Sequence, residues 1–169
     1  RPVSRLVLIA KNKSAAAKYS TLMQKEGGFN KQYEALICGK LSEPKGTFVD
    51  YLKKDGRTNT SAIVPADAAA NDKEAKLSKL EYEVISYDEV KDITHVRIHL
   101  ITGRHHQIRV QFASRRHPLV GDYKYATADC GMDNAVKAVA LKRNQIALCA
   151  VSLTIDNKTF SVTPDFVIN

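Results

Sequence analysis

Between Thr94 and Phe112 the hydrophobic period of the chain changes from two to about 3.6, which commits this segment to a strand followed by a helix. Thr94, Val96, Ile98 and Leu100 alternate with His95, Arg97 and His99, the pattern of a strand with one buried face. Thr102-Gly103 ends it. At about 100° per residue on the helix that follows, Ile108, Val110, Phe112 and Ala113 share one arc with Arg109 near its centre. Gln107, Gln111, Ser114, Arg104 and Arg115 are expected on the opposite, polar arc. An arginine inside a core-facing stripe is costly unless a carboxylate or phosphate meets it. Arg109 is therefore read in two ways: as a candidate active-site residue, or as a structural ion pair or a side chain that snorkels to water.

The rest of the chain alternates short strands and helices. Leu6 to Ala10 is a continuous apolar run, expected to form a buried strand. Asn12 or Ser14 caps a helix through Ala15, Ala16, Ala17, Tyr19, Leu22 and Met23 that Gly27-Gly28 ends. From Lys31 a period of two returns, with Tyr33, Ala35 and Ile37 on one face and Gln32, Glu34 and Leu36 on the other. Gly46–Leu52 and Asn59–Val64 form a strand pair around Asp55-Gly56, and Lys76–Tyr87 a further strand. Pro65 to Asp72 reads as an exposed connector, and Ala147–Ile155 with Lys158–Val162 as a terminal hairpin around Asp156-Asn157. These elements define one domain over residues 1–169 of α+β class: a mixed, largely antiparallel sheet core with flanking helices.

Charge narrows the partner. Lys+Arg number 26 against 18 Asp+Glu, a net charge of +8. Such an excess favours a polyanion, above all nucleic acid, although a generic basic surface gives the same number. No apolar run has the length of a membrane-spanning helix. Cys38, Cys130 and Cys149 lie too far apart in sequence for a zinc knuckle or a redox pair, so a reducing, cytoplasmic setting is expected. The adjacent His105 and His106 diverge if they sit on a helix, and His95 and His99 have no spaced partner, so no metal site is expected. Ser4 with a histidine and an aspartate spells a serine triad on paper, but no nucleophile-elbow motif supports it.

Gly103-Arg104-His105-His106-Gln107-Ile108-Arg109-Val110, followed by His117-Pro118-Leu119-Val120-Gly121-Asp122, resembles the signature of the RluA-type RNA pseudouridine synthases. The likeness extends to Arg1-Pro2-Val3-Ser4, to Leu6 through Asn12, to Lys31-Gln32-Tyr33-Glu34-Ala35-Leu36 closed by Gly39, and to Lys76 through Tyr82. It weakens after about Ala126. The resemblance implies the pseudouridine synthase catalytic-domain fold and an isomerase that flips a uridine out of structured RNA, in rRNA or tRNA processing. It implies no cofactor, and a cytoplasmic monomer is expected. An aspartate nucleophile is expected immediately before Arg1, in the order Arg-Leu-Asp-Arg, with further N-terminal strands upstream.

The same resemblance assigns roles. Tyr33 stacks on the target base and moves the ribose proton, whereas its apolar strand face alone reads as a core tyrosine. Arg109 pairs with the aspartate and keeps it charged and aimed. Arg1, Arg104 and His105 contact RNA. His117-Pro118 and Gly121-Asp122 shape a turn behind the pocket, with Asp122 read as turn chemistry. Arg5 departs from the family, which has glycine there, and a residue with a Cβ cannot copy glycine's backbone freedom. Arg5 and the absent aspartate leave an alternative open: a noncatalytic RNA-binding or interaction protein on the same fold.

Overall fold

The computed structural model describes residues 4–24 and 30–168. Among them, eight strands form one sheet in the order β1-β7-β2-β6-β5-β3-β4, with β8 paired to β7 beside this path. The strands are β1 (Ser4–Arg5), β2 (Asn30–Cys38), β3 (Lys45–Asp55), β4 (Thr60–Val64), β5 (Lys76–Asp88), β6 (Ile93–Leu100), β7 (Leu148–Ile155) and β8 (Lys158–Ser161). The helices are α1 (Lys13–Gln24), α2 (Ala66–Ala69), α3 (Gln107–Ala113) and α4 (Met132–Lys137). Every strand pairing is antiparallel except β1 on β7. The α+β class and the largely antiparallel sheet are as the alternations predict.

Period two fixes which face each strand buries. Tyr33, Ala35 and Ile37 of β2 face one side with Val96 and Ile98 of β6, Leu80 and Tyr82 of β5, and Phe48 of β3. Ile108 and Phe112 of α3 close this core, and Phe112 meets the Phe48 ring edge-on at 5.1 Å between centroids. On the opposite face Leu36, Cys38, Cys149 and Val151 pack beneath Met132 and Ala135 of α4 and beneath Phe166. Leu36 thus shares a strand face with Gln32 and Glu34 yet is buried, because α4 covers only that end of the sheet. The Asp156-Asn157 turn joins β7 to β8 with both residues at positive φ (47° and 60°), the geometry a two-residue hairpin of matching twist requires.

Four expectations fail, each for a physical reason. Leu6–Ala10 is not a buried strand: β1 pairs with β7 only at Ser4 and Arg5, and Val7 and Ile9 stand exposed with no neighbouring strand to extend the ladder. Pro65–Asp72 is not wholly an exposed connector, since it holds α2 and buries Ala69. Gln107 and Gln111 are not on a polar arc. The whole run from Gln107 to Phe112 is buried: Gln107 bonds through both ends of its amide and Gln111 donates from Nε2 to Asp50, while Gln111 Oε1 has no partner among the described residues. Finally, His105 and His106 precede the helix instead of riding on it, and their rings stack at 3.8 Å. Asn12 caps α1 as expected, its Oδ1 accepting the Ala15 N–H at 2.8 Å; Gly27-Gly28 lie outside the described residues.

Candidate active site

The site is built on the turn that feeds α3. Thr102 Oγ1 donates to Gln107 Oε1, which also accepts the Arg104 N–H, while Gln107 Nε2 donates to the Lys79 carbonyl of β5. One buried glutamine therefore ties the Gly103 loop to the sheet and fixes the start of the helix. Two residues on, Arg109 is buried as its place on the apolar arc requires, and it has a carboxylate partner: Asp122. Nε donates to Oδ2 and Nη2 to Oδ1, each at 2.6 Å, a side-on bidentate pair with Asp122 only 1% exposed.

Asp122 is thus more than turn chemistry. The segment from His117 to Val120 runs beside β2, with Cys38 N–H bonded to the Pro118 carbonyl and Val120 N–H to the Leu36 carbonyl. Gly121 then turns the chain at φ +86°, where a Cβ would stand 2.3 Å from the Gln145 carbonyl oxygen. That close approach delivers Asp122 beneath α3. His117 Nδ1 donates to the Cys38 carbonyl and anchors the same segment.

Nη1 of Arg109 lies 3.0 Å from His106 Nε2, and His106 Nδ1 lies 2.8 Å from the Tyr125 hydroxyl. The Tyr125 oxygen also accepts the Ser61 N–H of β4 at 2.9 Å, and its ring lies under the Arg109 guanidinium at 4.9 Å. Ser61 Oγ bonds His105 Nδ1 at 2.9 Å. Burial, with the nearby positive charges of Arg109, Lys124 and Lys54, pushes the His106 imidazole down to about 4. His105 shifts the same way, again chiefly through burial. Both rings are therefore neutral at pH 7.

Arg109 and Asp122 border a cleft of about 390 Å³ whose rim carries Lys124, Lys142 and Arg143, with Gln145 and Ile146 on its wall. That volume suits a small ligand, and the rim suits an anion. A larger hollow of about 480 Å³ on the far, charged face of the sheet is lined by Lys45, Glu81, Glu83, Arg97 and His99 and contains none of this network. The chemistry favours the smaller cleft.

The other expected residues are placed as follows. Tyr33 is half-buried on β2 between Ile98 and Ala150, beside a bulge that shifts its register on β7, and packs on the core containing Ile146. Tyr33 is not among the residues lining the Arg109 cleft, and shares with its wall only the core cluster to which Ile146 belongs. Arg104 is exposed and donates through Nε to the Leu77 carbonyl. His105 is half-buried and engaged with Ser61. Arg1 lies outside the described residues. Tyr125 and Ser61 gave no signal in the sequence. Cys38 and Cys130, remote in sequence, meet through their side chains, and burial pushes the Cys38 thiol up to about 12.

A family model described as RNA pseudouridylate synthase matches residues 1–114. Ribosomal large subunit pseudouridine synthase D of Blochmanniella floridana is 35% identical over 122 residues, covering 71% of this chain and 34% of that protein. The same-named protein of Vibrio vulnificus is 30% identical over 155 residues, 90% and 44%. RNA pseudouridylate synthase domain-containing protein 1 of Mus musculus is 33% identical over 132 residues, 75% and 42%. The chain thus spans less than half the length of these relatives. The solved structures of human RNA pseudouridylate synthase domain containing 1 and 4 superpose with TM-scores of 0.67 and 0.68 at 24% and 17% identity. They cover 92% and 90% of this chain, and 62% and 64% of theirs. With the matched segment holding the strands, the Gly103 loop and the Arg109 helix that build the site, the chain belongs to the RNA pseudouridylate synthase family.

Proposed function

We propose that this chain is the catalytic domain of an enzyme that isomerises uridine to pseudouridine in structured RNA, rRNA or tRNA, after flipping the nucleotide into the Arg109 cleft. The observation that carries this reading is the orientation of Arg109. Asp122 occupies the side-on edge of the guanidinium and His106 meets Nη1. Among the described residues those bonds use three of the guanidinium's five N–H groups, and one each on Nη1 and Nη2 remains for a second carboxylate. The family's nucleophile would be that carboxylate, supplied by a residue preceding Arg1. The parallel pairing of β1 supports this, because the N-terminal end of β1 lies at the Leu148 end of β7, close in sequence to Gln145 and Ile146 of the cleft wall.

In the proposed reaction the N1–C1′ bond breaks with the aspartate stabilising or capturing the sugar cation. The uracil turns, a C5–C1′ bond forms, and the C5 hydrogen leaves to solvent while N1 regains a proton. Tyr33 stacks on the base and handles the ribose proton; Arg104 and the cleft's lysines hold phosphate. Tritium release from RNA labelled at uridine C5 measures the reaction directly. A chain extended upstream to include an aspartate before Arg1 should release tritium, and its Tyr33→Phe variant should lose nearly all turnover while RNA affinity changes little. Release by residues 1–169 alone would overturn the placement of the nucleophile.

A second reading, RNA binding without catalysis, is favoured by one observation: Arg109 already has a carboxylate from its own chain in Asp122. Absence of tritium release from the extended chain, with RNA binding intact, would select it.

A further inference from the structure

His106 combines three features that the proposed reaction does not by itself require. It holds a left-handed backbone at φ 54° and ψ 23°, a conformation uncommon for residues with a Cβ. It occupies the position before the first turn of α3 yet makes no side-chain capping bond there. Instead both ring nitrogens are engaged away from the helix, Nε2 with Arg109 and Nδ1 with Tyr125.

The donor inventory fixes the protons. A guanidinium only donates, so Nε2 accepts from Arg109 Nη1. A neutral imidazole then carries its single hydrogen on Nδ1 and donates it to the Tyr125 oxygen, which also takes the Ser61 N–H. The charged and titratable groups around the ring are Arg109 on α3, His105 beside it, Lys54 from β3 and Lys124 from the segment between α3 and α4. Tyr125 faces it from the same segment, and the charge of Asp122 lies across the guanidinium. Cations predominate on every side. An imidazolium here would have no acceptor on Nε2 and would turn a hydrogen toward Arg109.

We propose that His106 is a positioning residue: as the neutral Nδ1–H tautomer, braced by Tyr125, it holds Nη1 of the Arg109 guanidinium while Asp122 holds Nε and Nη2, which fixes the group in a single orientation beside the cleft. The role in turnover rests on the function proposed above, whereas the tautomer and the bracing do not. The left-handed backbone accompanies this arrangement, in which the consecutive histidine rings stack and Nε2 of the second meets Arg109. Protonation would remove the acceptor, so the arrangement persists from neutral pH down to about 4 and is lost below it.

The first arm of the test uses residues 1–169 labelled with nitrogen-15 at histidine. His106 should show an unprotonated Nε2 and a protonated Nδ1 from pH 7.5 to 5, and Tyr125→Phe, which keeps the ring under Arg109 but removes the acceptor for Nδ1–H, should shift the Nδ1 resonance while Nε2 stays unprotonated. A protonated Nε2, or titration of His106 near the ordinary 6.5, overturns the proposal whatever the enzyme does. The second arm uses the extended chain. His106→Ala should lower kcat by on the order of 100-fold, as misplacement of a catalytic group does, with KM for RNA within about twofold. His106→Gln, whose Oε1 replaces the Nε2 acceptor, should recover most of it. Equal losses in both variants, or a loss confined to KM, reject the positioning role. An inactive parent that still shows the expected tautomer overturns the functional reading and leaves the bracing of Arg109 standing.

Discussion

Arg109 and Asp122 share a nearly dry site, and a pair in such a place stands or falls as a unit. Asp122→Asn or Arg109→Ala strands one charge and should cost about 3–5 kcal/mol of stability in urea unfolding. Arg109→Met combined with Asp122→Leu should restore most of that, because two apolar side chains leave no orphaned ion. An unchanged midpoint for Asp122→Asn would contradict the buried pair. Arg109 was legible in the sequence because an apolar arc exposes any charge placed on it. Its partner was not: Gly121-Asp122 has the composition of an ordinary turn, and only the close passage of Gly121 over Gln145 shows where the carboxylate goes. Tyr125 and Ser61 were invisible for a similar reason, since neither residue type breaks a pattern.

At the level of elements, α3 is too short to be stable alone and depends on tethers at both ends. Gln107 supplies the first. The second is Asp50 of β3, which takes a bidentate bond from Arg115 at 3.0 and 3.1 Å and accepts the Gln111 amide at 2.7 Å. Arg115 also lies over the Phe48 ring at 4.1 Å. Asp50→Ala should therefore destabilise the protein by about 1.5–3 kcal/mol. Hydrogen exchange should accelerate first in the last turn of α3, and uniform exchange with an unaltered melt would show that the tether is idle. Strand periods were readable where a strand keeps one face on a core, as β2, β5 and β6 do. The helix faces were misread because α3 is enclosed all round, and burial there selects glutamines for the bonds they make. The Leu6–Ala10 run was misread because apolarity alone does not supply a neighbouring strand.

Across the whole molecule, the charge of +8 bears on the proposed RNA partner. Affinity for a structured RNA should fall steeply with salt, each neutralised phosphate adding up to about 0.9 to the log–log slope on duplexes. Arg104→Ala should flatten the slope, since Arg104 is exposed. Arg109→Ala should leave it nearly unchanged, since Asp122 already balances that charge. A filter-binding series across salt checks both, and equal changes would place Arg109 at the phosphates.

The order of strands in the sheet differs sharply from their order in the chain. β7, made after β3 to β6, lies between β1 and β2, which are made before them. Until Ile155 has left the ribosome, β1 has no ladder to join and one edge of β2 stays open. The cleft shares this delay, because Gln145 and Ile146 belong to the approach to β7. The nascent domain therefore carries its arginine helix for some time before it has a finished pocket, and a chain halted after the matched segment at residue 114 would keep the Gly103–Val110 block but lack both Asp122 and the wall that gives the cleft its shape.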